Sequence, residues 1–209
     1  MRARWLGSGA VVAGAATLVY FRFVRDWHLH WGATPEEAHG AAAGDDLMPD
    51  PDIVSTRVVE IDTPPSAIWP WLVQMGPGRG GAYTYDWIER RLGIDIRNTD
   101  RIMPEFQGLK VGDEIPMPGY AMRVERLDPE RALVVRSSNH AWVWSFELRP
   151  AGGRTRLISR NRFDTSALPV KDKLAYPVIE PGSWVMERKM LRTIKERAER
   201  LAQAAAPVT

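Results

Sequence analysis

Between residues 120 and 163 the sequence repeats one pattern four times: a short run rich in apolar and β-branched residues, followed by turn residues. Such runs are typical of β-strands, and short turns between them predict hairpins. The predicted strands are 120–127, 131–137, 140–149 and 154–163, with turns at 128–130, 138–139 and 151–153. An antiparallel sheet of this kind has an apolar face that another element must cover.

The flanking sequence supplies further elements. Val54–Asp62 is predicted as a strand, followed by short helices at 66–75, with a kink at Pro70, and at 84–92. A long helix is predicted at 182–205, where the apolar positions fall within one arc that also contains Glu187. Those positions are Met186, Met190, Leu191, Ile194, Ala198 and Leu201. The order of elements predicts an α+β fold in which the last helix covers the sheet.

Alternation along the last two strands predicts which side chains face that helix. The inward set combines large aromatic and polar residues: His140, Trp142, Trp144, Phe146 and Leu148, then Thr155, Leu157, Ser159, Asn161 and Phe163. The arginines of 154–163 are predicted to lie outside. Burying an unpaired polar side chain costs about 1–3 kcal/mol. The mixed face therefore favours a ligand cavity or trapped water over a tightly packed core.

Three of the residues predicted to face inward, two on the last helix and one on a strand, each have two interpretations. Glu187 is either held by the helix dipole and a hydrogen bond, or is a carboxylate in the pocket. His140 is either a satisfied histidine at the end of a hairpin or a pocket residue. Met190 belongs either to the core or to a pocket that accepts variable ligands.

A membrane segment is predicted near the N-terminus. Trp5–Phe21 is an uncharged run of 17 residues between arginines; at about 1.5 Å per residue it spans about 25 Å. Snorkelling of Arg22 extends the apolar segment to residues 5–24. The alternatives are a cleaved signal peptide, with 13–15 as cleavage site, and a buried helix. The flanking charges slightly favour an extracytoplasmic domain.

These features divide the chain into a membrane anchor and juxtamembrane segment at 1–31, a linker at 32–52 and a ligand-binding domain at 53–205. Trp27 and Trp31 are predicted to lie at the membrane, as interfacial tryptophans do. The expected location is a bacterial inner membrane, crossed once.

Composition and motifs exclude several kinds of function. The chain has no cysteine, so it has neither disulfides nor a thiolate nucleophile, and its net charge of +2 argues against nucleic acid as main partner. The GPGRGG sequence at 76–81 follows a helix instead of a strand, which excludes a dinucleotide loop and predicts a flexible rim beside Tyr83, Tyr85 and Trp87. The histidines are too few and too scattered for a metal site, and we expect no metal or cofactor.

Four stretches resemble one family. Residues 58–75 (VVEIDTPPSAIWPWLVQM), 79–96, 100–115 and 186–199 are similar to START-like proteins of the SRPBCC superfamily, which includes polyketide cyclases, lipid-transfer domains and pollen-allergen-type carriers. The likeness covers about 53–203, and the N-terminal segment resembles a bacterial branch. It implies a helix-grip fold, in which a curved antiparallel sheet wraps around the terminal helix. In such a fold an apolar cavity lies between the sheet and that helix. The likeness carries over no catalytic residue.

We expect the chain to bind, transport or sense a hydrophobic small molecule such as a lipid, isoprenoid or polyketide. One alternative is a cyclase, dehydratase or hydrolase that uses Glu187 or His140 for acid–base chemistry, with Tyr83 or Tyr85 orienting the substrate. Another is an assembly partner with an exposed aromatic patch around 83–87. The predicted ligand-binding residues are Trp71, Tyr83, Tyr85, Met122, His140, Trp142, Trp144, Phe146, Ser159, Asn161, Phe163, Trp184, Glu187 and Met190.

Overall fold

The computed structural model describes residues 20–91, 97–166 and 170–205. Six strands form one curved antiparallel sheet in the order β1-β6-β5-β4-β3-β2. The strands are β1 (Ile53–Ile61), β2 (Glu114–Met117), β3 (Tyr120–Asp128), β4 (Ala132–Ser137), β5 (Trp142–Ala151) and β6 (Arg154–Phe163). Consecutive hairpins connect β2, β3, β4, β5 and β6, and β6 pairs on its other side with β1, the first strand of the chain.

The four predicted strands and their turns are confirmed. Gly152 and Gly153 connect β5 to β6 with φ of 59° and 84°, values that glycine adopts without strain. β2 was not among the predicted strands. It has only four residues, includes Pro116 and lies at the edge of the sheet, where proline is tolerated.

Among the described residues, five α-helices accompany the sheet: α1 (Arg25–Leu29), α2 (Pro35–His39), α3 (Pro65–Val73), α4 (Asp86–Arg91) and α5 (Val170–Ala205). α3 begins at Pro65, a favourable place for proline, and continues through Pro70. α5 begins before the predicted residue 182. Pro181, directly before the predicted start, lies inside the helix.

The inner face of the sheet packs against α5 and α3. Leu191, Ile194 and Ala198 of α5 are buried in one core cluster with Ile68 and Leu72 of α3 and with the sheet. The helix-grip fold that the sequence resemblance implies is therefore confirmed by the sheet order and by the place of the last helix. The inward positions predicted on α5, Glu187 included, are also buried, except that Met186 and Leu201 are half-buried.

The outer face of the sheet is covered by residues 32–52, which were predicted to form a linker. Met48 packs with Val134 and Val143 in a second buried cluster. Gly44 lies so close to the sheet that a Cβ atom there would come within 2.6 Å of Val134 Cγ1. The prediction of a linker is thus corrected, because this stretch is packed along the sheet.

The outward arginines explain how this segment is held. Arg160 is 4% exposed, and its guanidinium donates to the carbonyl oxygens of Glu37 (2.6 Å) and Gly40 (2.9 Å) at the C-terminal end of α2. Arg162 donates to the carbonyl oxygen of Met48 at 2.8 Å. The arginines face outward as predicted. Arg160 is nevertheless buried, because the segment that covers it supplies backbone carbonyl oxygens that accept hydrogen bonds from its guanidinium.

Residues 20–31 also contact the folded domain. His28 and Leu29 are buried, and the Val58 amide donates to the Trp31 carbonyl oxygen at 2.9 Å. The Trp31 side chain is half-buried and packs against the main core cluster, whereas Trp27 is 55% exposed. Their place at a membrane stays a prediction.

Most of the predicted membrane segment, residues 5–19, lies outside the described residues. Tyr20–Val24 form a π-helical turn that leads into α1. Within the described ranges no helix is both long and apolar enough to cross a bilayer.

Candidate functional site

Four aromatic rings form a continuous row on the inner face of β5 and β6, here called the aromatic wall: Phe163, Trp142, Trp144 and Phe146. Trp142 stacks on Phe163, its direct partner across the strands, with centroids 5.5 Å apart. Trp142 and Trp144 stack at 5.1 Å, and Trp144 meets Phe146 at 4.7 Å. Alternate residues of one strand share a face, so β5 supplies three rings to the wall.

Both tryptophan N–H groups of the wall are bonded within the sheet. Trp142 Nε1 donates to Asn161 Oδ1, and Trp144 Nε1 donates to Ser159 Oγ, each at 2.9 Å. Buried indole N–H groups need such acceptors. Because β6 provides them, the rings can present carbon surface to the interior.

Ser159 and Asn161 in turn bind Glu187 of α5. Ser159 Oγ donates to Glu187 Oε1 at 2.6 Å, and Asn161 Nδ2 donates to both carboxylate oxygens at 3.1 Å. Arg57 of β1 forms a buried ion pair with Glu187 Oε2. Every polar residue predicted on this part of the inner face has a partner, so these groups fasten α5 to the sheet.

Arg57 is the residue of this network that the sequence analysis missed. It lies opposite Ser159 in the β1–β6 register and is only 1% exposed, and its Nε donates to the His28 carbonyl oxygen at 3.0 Å. Strand alternation applied to β1 would have placed this arginine on the inner face of the sheet, which faces Glu187 of α5. Because a buried charge needs a partner of opposite sign, the two residues could then have been paired.

An apolar space of about 70 Å³ lies beside the aromatic wall, between the sheet and residues 76–82. Its described lining consists of Leu72, Met75, Gly76, Pro77, Ala82, Ile115, Met117, Met122, Leu133, Val135, Trp142, Trp144 and Phe146. None of these thirteen residues has a charged side chain, and the two indole N–H groups are bonded elsewhere. Sites for drug-sized ligands have volumes of about 300–1,000 Å³, so a ligand of that size requires its rim to move.

A second space, of about 170 Å³, lies at the end of the wall. Trp142 and Phe163 line it together with Tyr120, and burial raises the pKa of the Tyr120 hydroxyl. Trp142 lines both spaces.

Of the predicted ligand-binding residues, Met122, Trp142, Trp144 and Phe146 line the 70 Å³ space. Phe163 extends the wall, while Ser159, Asn161 and Glu187 support it from behind. The other lining residues, which belong to the end of α3, residues 75–82, β2 and β4, were missed, because no polar residue among them distinguishes a cavity from a core.

Trp71, Tyr83 and Met190 are buried in the core but do not line that space. The Tyr83 hydroxyl donates to the Trp71 carbonyl oxygen at 3.0 Å, and burial raises the pKa of Tyr83 to about 12. The Arg197 guanidinium lies over the Tyr83 ring, 4.7 Å from its centroid. Tyr83 is thus a neutral side chain held in place by its neighbours at physiological pH.

The predicted inward position of His140 is wrong. β5 begins two residues later, at Trp142, and His140 occupies the preceding turn with φ of 62° and an exposed side chain. Trp184 packs against Trp27 at 5.2 Å, away from the aromatic wall, and Tyr85 is half-buried.

The two residues named for acid–base chemistry are therefore not brought together. His140 is exposed, whereas both oxygens of Glu187 already accept hydrogen bonds from Ser159, Asn161 and Arg57. The aromatic patch expected around 83–87 is also reduced, since Tyr83 is buried and only Trp87 is largely exposed. No group of three potential metal ligands occurs in the parts of the chain that the structure describes.

Neither a protein-family model nor a curated protein matches the chain. Among solved structures, the Polyketide_cyc-like protein Cgl2372 of Corynebacterium glutamicum is 16% identical over 78% of this chain and 100% of its own, with a TM-score of 0.40. The AHSA1-like protein of Aeromonas hydrophila is 12% identical over 74% and 99%, with a TM-score of 0.39. The Aha1 dimer of Colwellia psychrerythraea is 15% identical over 70% and 96%, also at 0.39. The fold assignment rests on this chain's own topology.

Proposed function

We propose that the chain binds a hydrophobic small molecule of lipid, isoprenoid or polyketide-like character in the space beside the aromatic wall. One observation carries this proposal: the lining is apolar throughout, although it contains two tryptophans, because their N–H groups are bonded to Asn161 and Ser159. An entirely apolar concave lining next to stacked rings favours binding by burial of carbon surface.

The side chains around the space suit a ligand whose shape varies. Met75, Met117 and Met122 all line it. Methionine side chains are unbranched and polarizable, so they adjust to different apolar partners. Trp142, Trp144 and Phe146 add aromatic carbon surface to the same lining.

Access to the space would involve residues 76–82. Gly76, Gly78 and Gly81 have φ between 69° and 125°, and the Gly76 amide donates to the Gly81 carbonyl oxygen at 3.0 Å. Gly76, Pro77 and Ala82 form the rim of the lining. We propose that this rim opens to admit a ligand larger than the present space.

Native mass spectrometry of the full chain extracted in mild detergent tests the binding site. We expect a bound apolar molecule on the wild type and its loss in Val135→Phe, which fills the space from β4. Overpacking of this kind costs about 1–3 kcal/mol of stability. A control must therefore lose stability without touching the space.

Val134→Ala is that control, because Val134 is buried on the opposite face of the same strand. It removes two methyl groups, about 0.8 kcal/mol each before any cavity contribution. Retention of the bound mass in Val134→Ala and its loss in Val135→Phe supports the site. Equal retention in both variants, or no bound molecule on the wild type, contradicts it.

We further propose that residues 5–24 anchor the domain to a membrane. The uncharged run between arginines supports this, and the charge distribution favours an extracytoplasmic domain.

The chain has no cysteine, so Lys110→Cys at an exposed position gives a single labelling site. Labelling of intact cells by a membrane-impermeant maleimide is expected. Labelling only after lysis would reverse the orientation, and recovery of the chain in the soluble fraction would contradict the anchor.

A further inference from the structure

Exposed apolar side chains concentrate in two segments that are distant in sequence. The described part of the chain leaves seven large hydrophobic side chains exposed, and five of them belong to residues 23–27 or 179–185. They are Phe23 (67%), Val24 (39%), Trp27 (55%), Ile179 (51%) and Val185 (41%). The other two, Trp87 and Val111, belong to neither segment.

Direct contacts join the two segments. The Arg25 guanidinium forms a two-pronged ion pair with Glu180, with Nε to Oε1 at 2.9 Å and Nη2 to Oε2 at 2.8 Å. The Tyr20 hydroxyl donates to Glu180 Oε1 at 3.0 Å, and the Trp27 ring packs against Trp184. Residues 23–27 and 179–185 therefore form one surface, here called the Trp27 surface.

We propose that the Trp27 surface lies on the lipid bilayer, so that the folded domain itself contacts the membrane. This inference rests on the proposed anchor. The uncharged run Trp5–Phe21 lies next to the surface in sequence, since Trp27 is only six positions after Phe21. At about 1.5 Å per helical residue that is about 9 Å, within the thickness of the headgroup region.

The chemistry of the surface suits a membrane interface. Trp27 and Phe23 are residue types that insert at the boundary between headgroups and acyl chains. The surface contains two carboxylates. Glu180 is 5% exposed and pairs with Arg25. Asp26 is exposed, and its Oδ1 lies 3.2 Å from His30 Nδ1.

Basic side chains continue the surface along α5. Arg188 lies over the Trp184 ring at 5.6 Å from its centroid, and Arg192 lies over the Trp31 ring at 5.7 Å. Guanidinium groups next to an apolar surface pair well with lipid phosphates. This arrangement favours a bilayer over a second copy of the chain, which would bring these cations together.

Tryptophan quenching by brominated lipid tests the proposal on the full chain. The protein is reconstituted into vesicles of phosphatidylcholine and phosphatidylglycerol whose acyl chains are brominated near the headgroups, with unbrominated vesicles as reference. Trp27→Phe is compared with Trp87→Phe, because the two side chains have similar exposure, 55% and 63%, and only Trp27 belongs to the surface.

We expect Trp27→Phe to lose part of the bromine-quenched emission of the wild type, whereas Trp87→Phe retains all of it. Equal quenched emission in wild type and Trp27→Phe would overturn the contact while leaving the anchor intact. Failure of the wild type to float with vesicles would instead contradict the anchor. A Trp27→Phe variant that dissociates a dimer without any change in quenching would assign the surface to a second copy and overturn the bilayer contact.

Discussion

β6 has two buried faces, and its alternate residues bind different parts of the molecule. Ser159 and Asn161 face inward and bind Glu187 of α5. Arg160 and Arg162 face outward and bind the segment 37–49, mainly through its backbone carbonyl oxygens. The inner face has an apolar space next to its polar groups, because hydrogen bonds to Asn161 and Ser159 satisfy the N–H groups of the aromatic wall.

The comparison shows that burial of polar residues serves two purposes here. On the outer face, guanidinium groups satisfy the end of a short helix and hold a stretch whose composition resembles a linker. On the inner face, a compact set of side chains positions two tryptophans and one helix. Breaking each set separately should have different consequences.

Removing Arg57 should have the largest effect. Arg57→Met leaves the Glu187 carboxylate buried without its cation, which costs about 3–5 kcal/mol of the free energy of unfolding. Denaturant unfolding of the detergent-solubilised chain, followed by tryptophan fluorescence, measures it. The double variant Arg57→Met with Glu187→Leu should recover much of this loss, since it removes both charges. A double variant as unstable as the sum of the singles would show that the ion pair is not the source of the effect.

Removing Arg160 should cost less and act locally. Arg160→Met leaves several carbonyl oxygens of residues 37–40 without a donor, and buried groups of this kind cost about 1–3 kcal/mol. Limited proteolysis should show faster cleavage within 40–49 than in the wild type, a change not expected for Arg57→Met. Arg160→Lys should rescue only part of the protection, because one ammonium cannot reach all the acceptors. Full protection in Arg160→Met would mean that the apolar contacts of Met48 suffice.

As the pH falls below neutrality, the stability of the fold should first decrease through His28, whose carbonyl oxygen accepts a hydrogen bond from Arg57. Burial lowers the pKa of His28 below its ordinary 6.5, although Glu180 opposes this. The unfolded chain therefore takes up a proton below pH 6.5 that the folded protein does not, and stability falls with pH by at most about 1.4 kcal/mol per unit from this group. Unfolding measured between pH 7.5 and 5 should show a weaker pH dependence in His28→Asn. An unchanged slope in that variant would assign the effect to other groups.

Glu37, under the outer face, responds in a lower pH range. Burial opposes its ionisation, but hydrogen bonds from Arg156 and Thr34 outweigh burial and hold the pKa of Glu37 below 4.5. Its stabilising effect is present above pH 4.5 and is lost as the pH falls through the lowered pKa. A Glu37→Gln variant should therefore differ from the wild type in pH dependence only below about pH 4.5.

Trp144→Phe should have the smallest effect. It removes one neutral hydrogen bond, to Ser159, which keeps its bond to Glu187, so the expected cost is about 0.5–1.5 kcal/mol. Denaturant unfolding measures it under the same conditions as for Arg57→Met. A loss as large as that of Arg57→Met would contradict this ranking.

The sequence predicted the parts of the fold that follow a regular period. Alternation placed Trp142, Trp144, Ser159 and Asn161 on one face, and the helical period placed Glu187 opposite them. The same rule failed for His140, because alternation holds only inside a strand and the left-handed turn residue lies before β5 begins.

Other parts of the molecule depend on contacts that no local pattern reveals. Residues 32–52 have the composition of a linker, and they pack because distant arginines of β6 supply donors to their carbonyl groups. α5 extends through Pro181, where the local preference favours a break. The pairing of Arg57 with Glu187 joins residues 130 positions apart and became visible only in the folded chain.

Xenon binding in a crystal of the full chain tests most directly whether the space beside the aromatic wall accepts an apolar guest. Apolar cavities in proteins stay dry and bind xenon, and a space of about 70 Å³ has room for one atom. We expect a xenon peak in contact with Met122 and with the rings of Trp142 and Trp144. Ordered water in that space, or a lining that has collapsed and takes up no xenon, would contradict it.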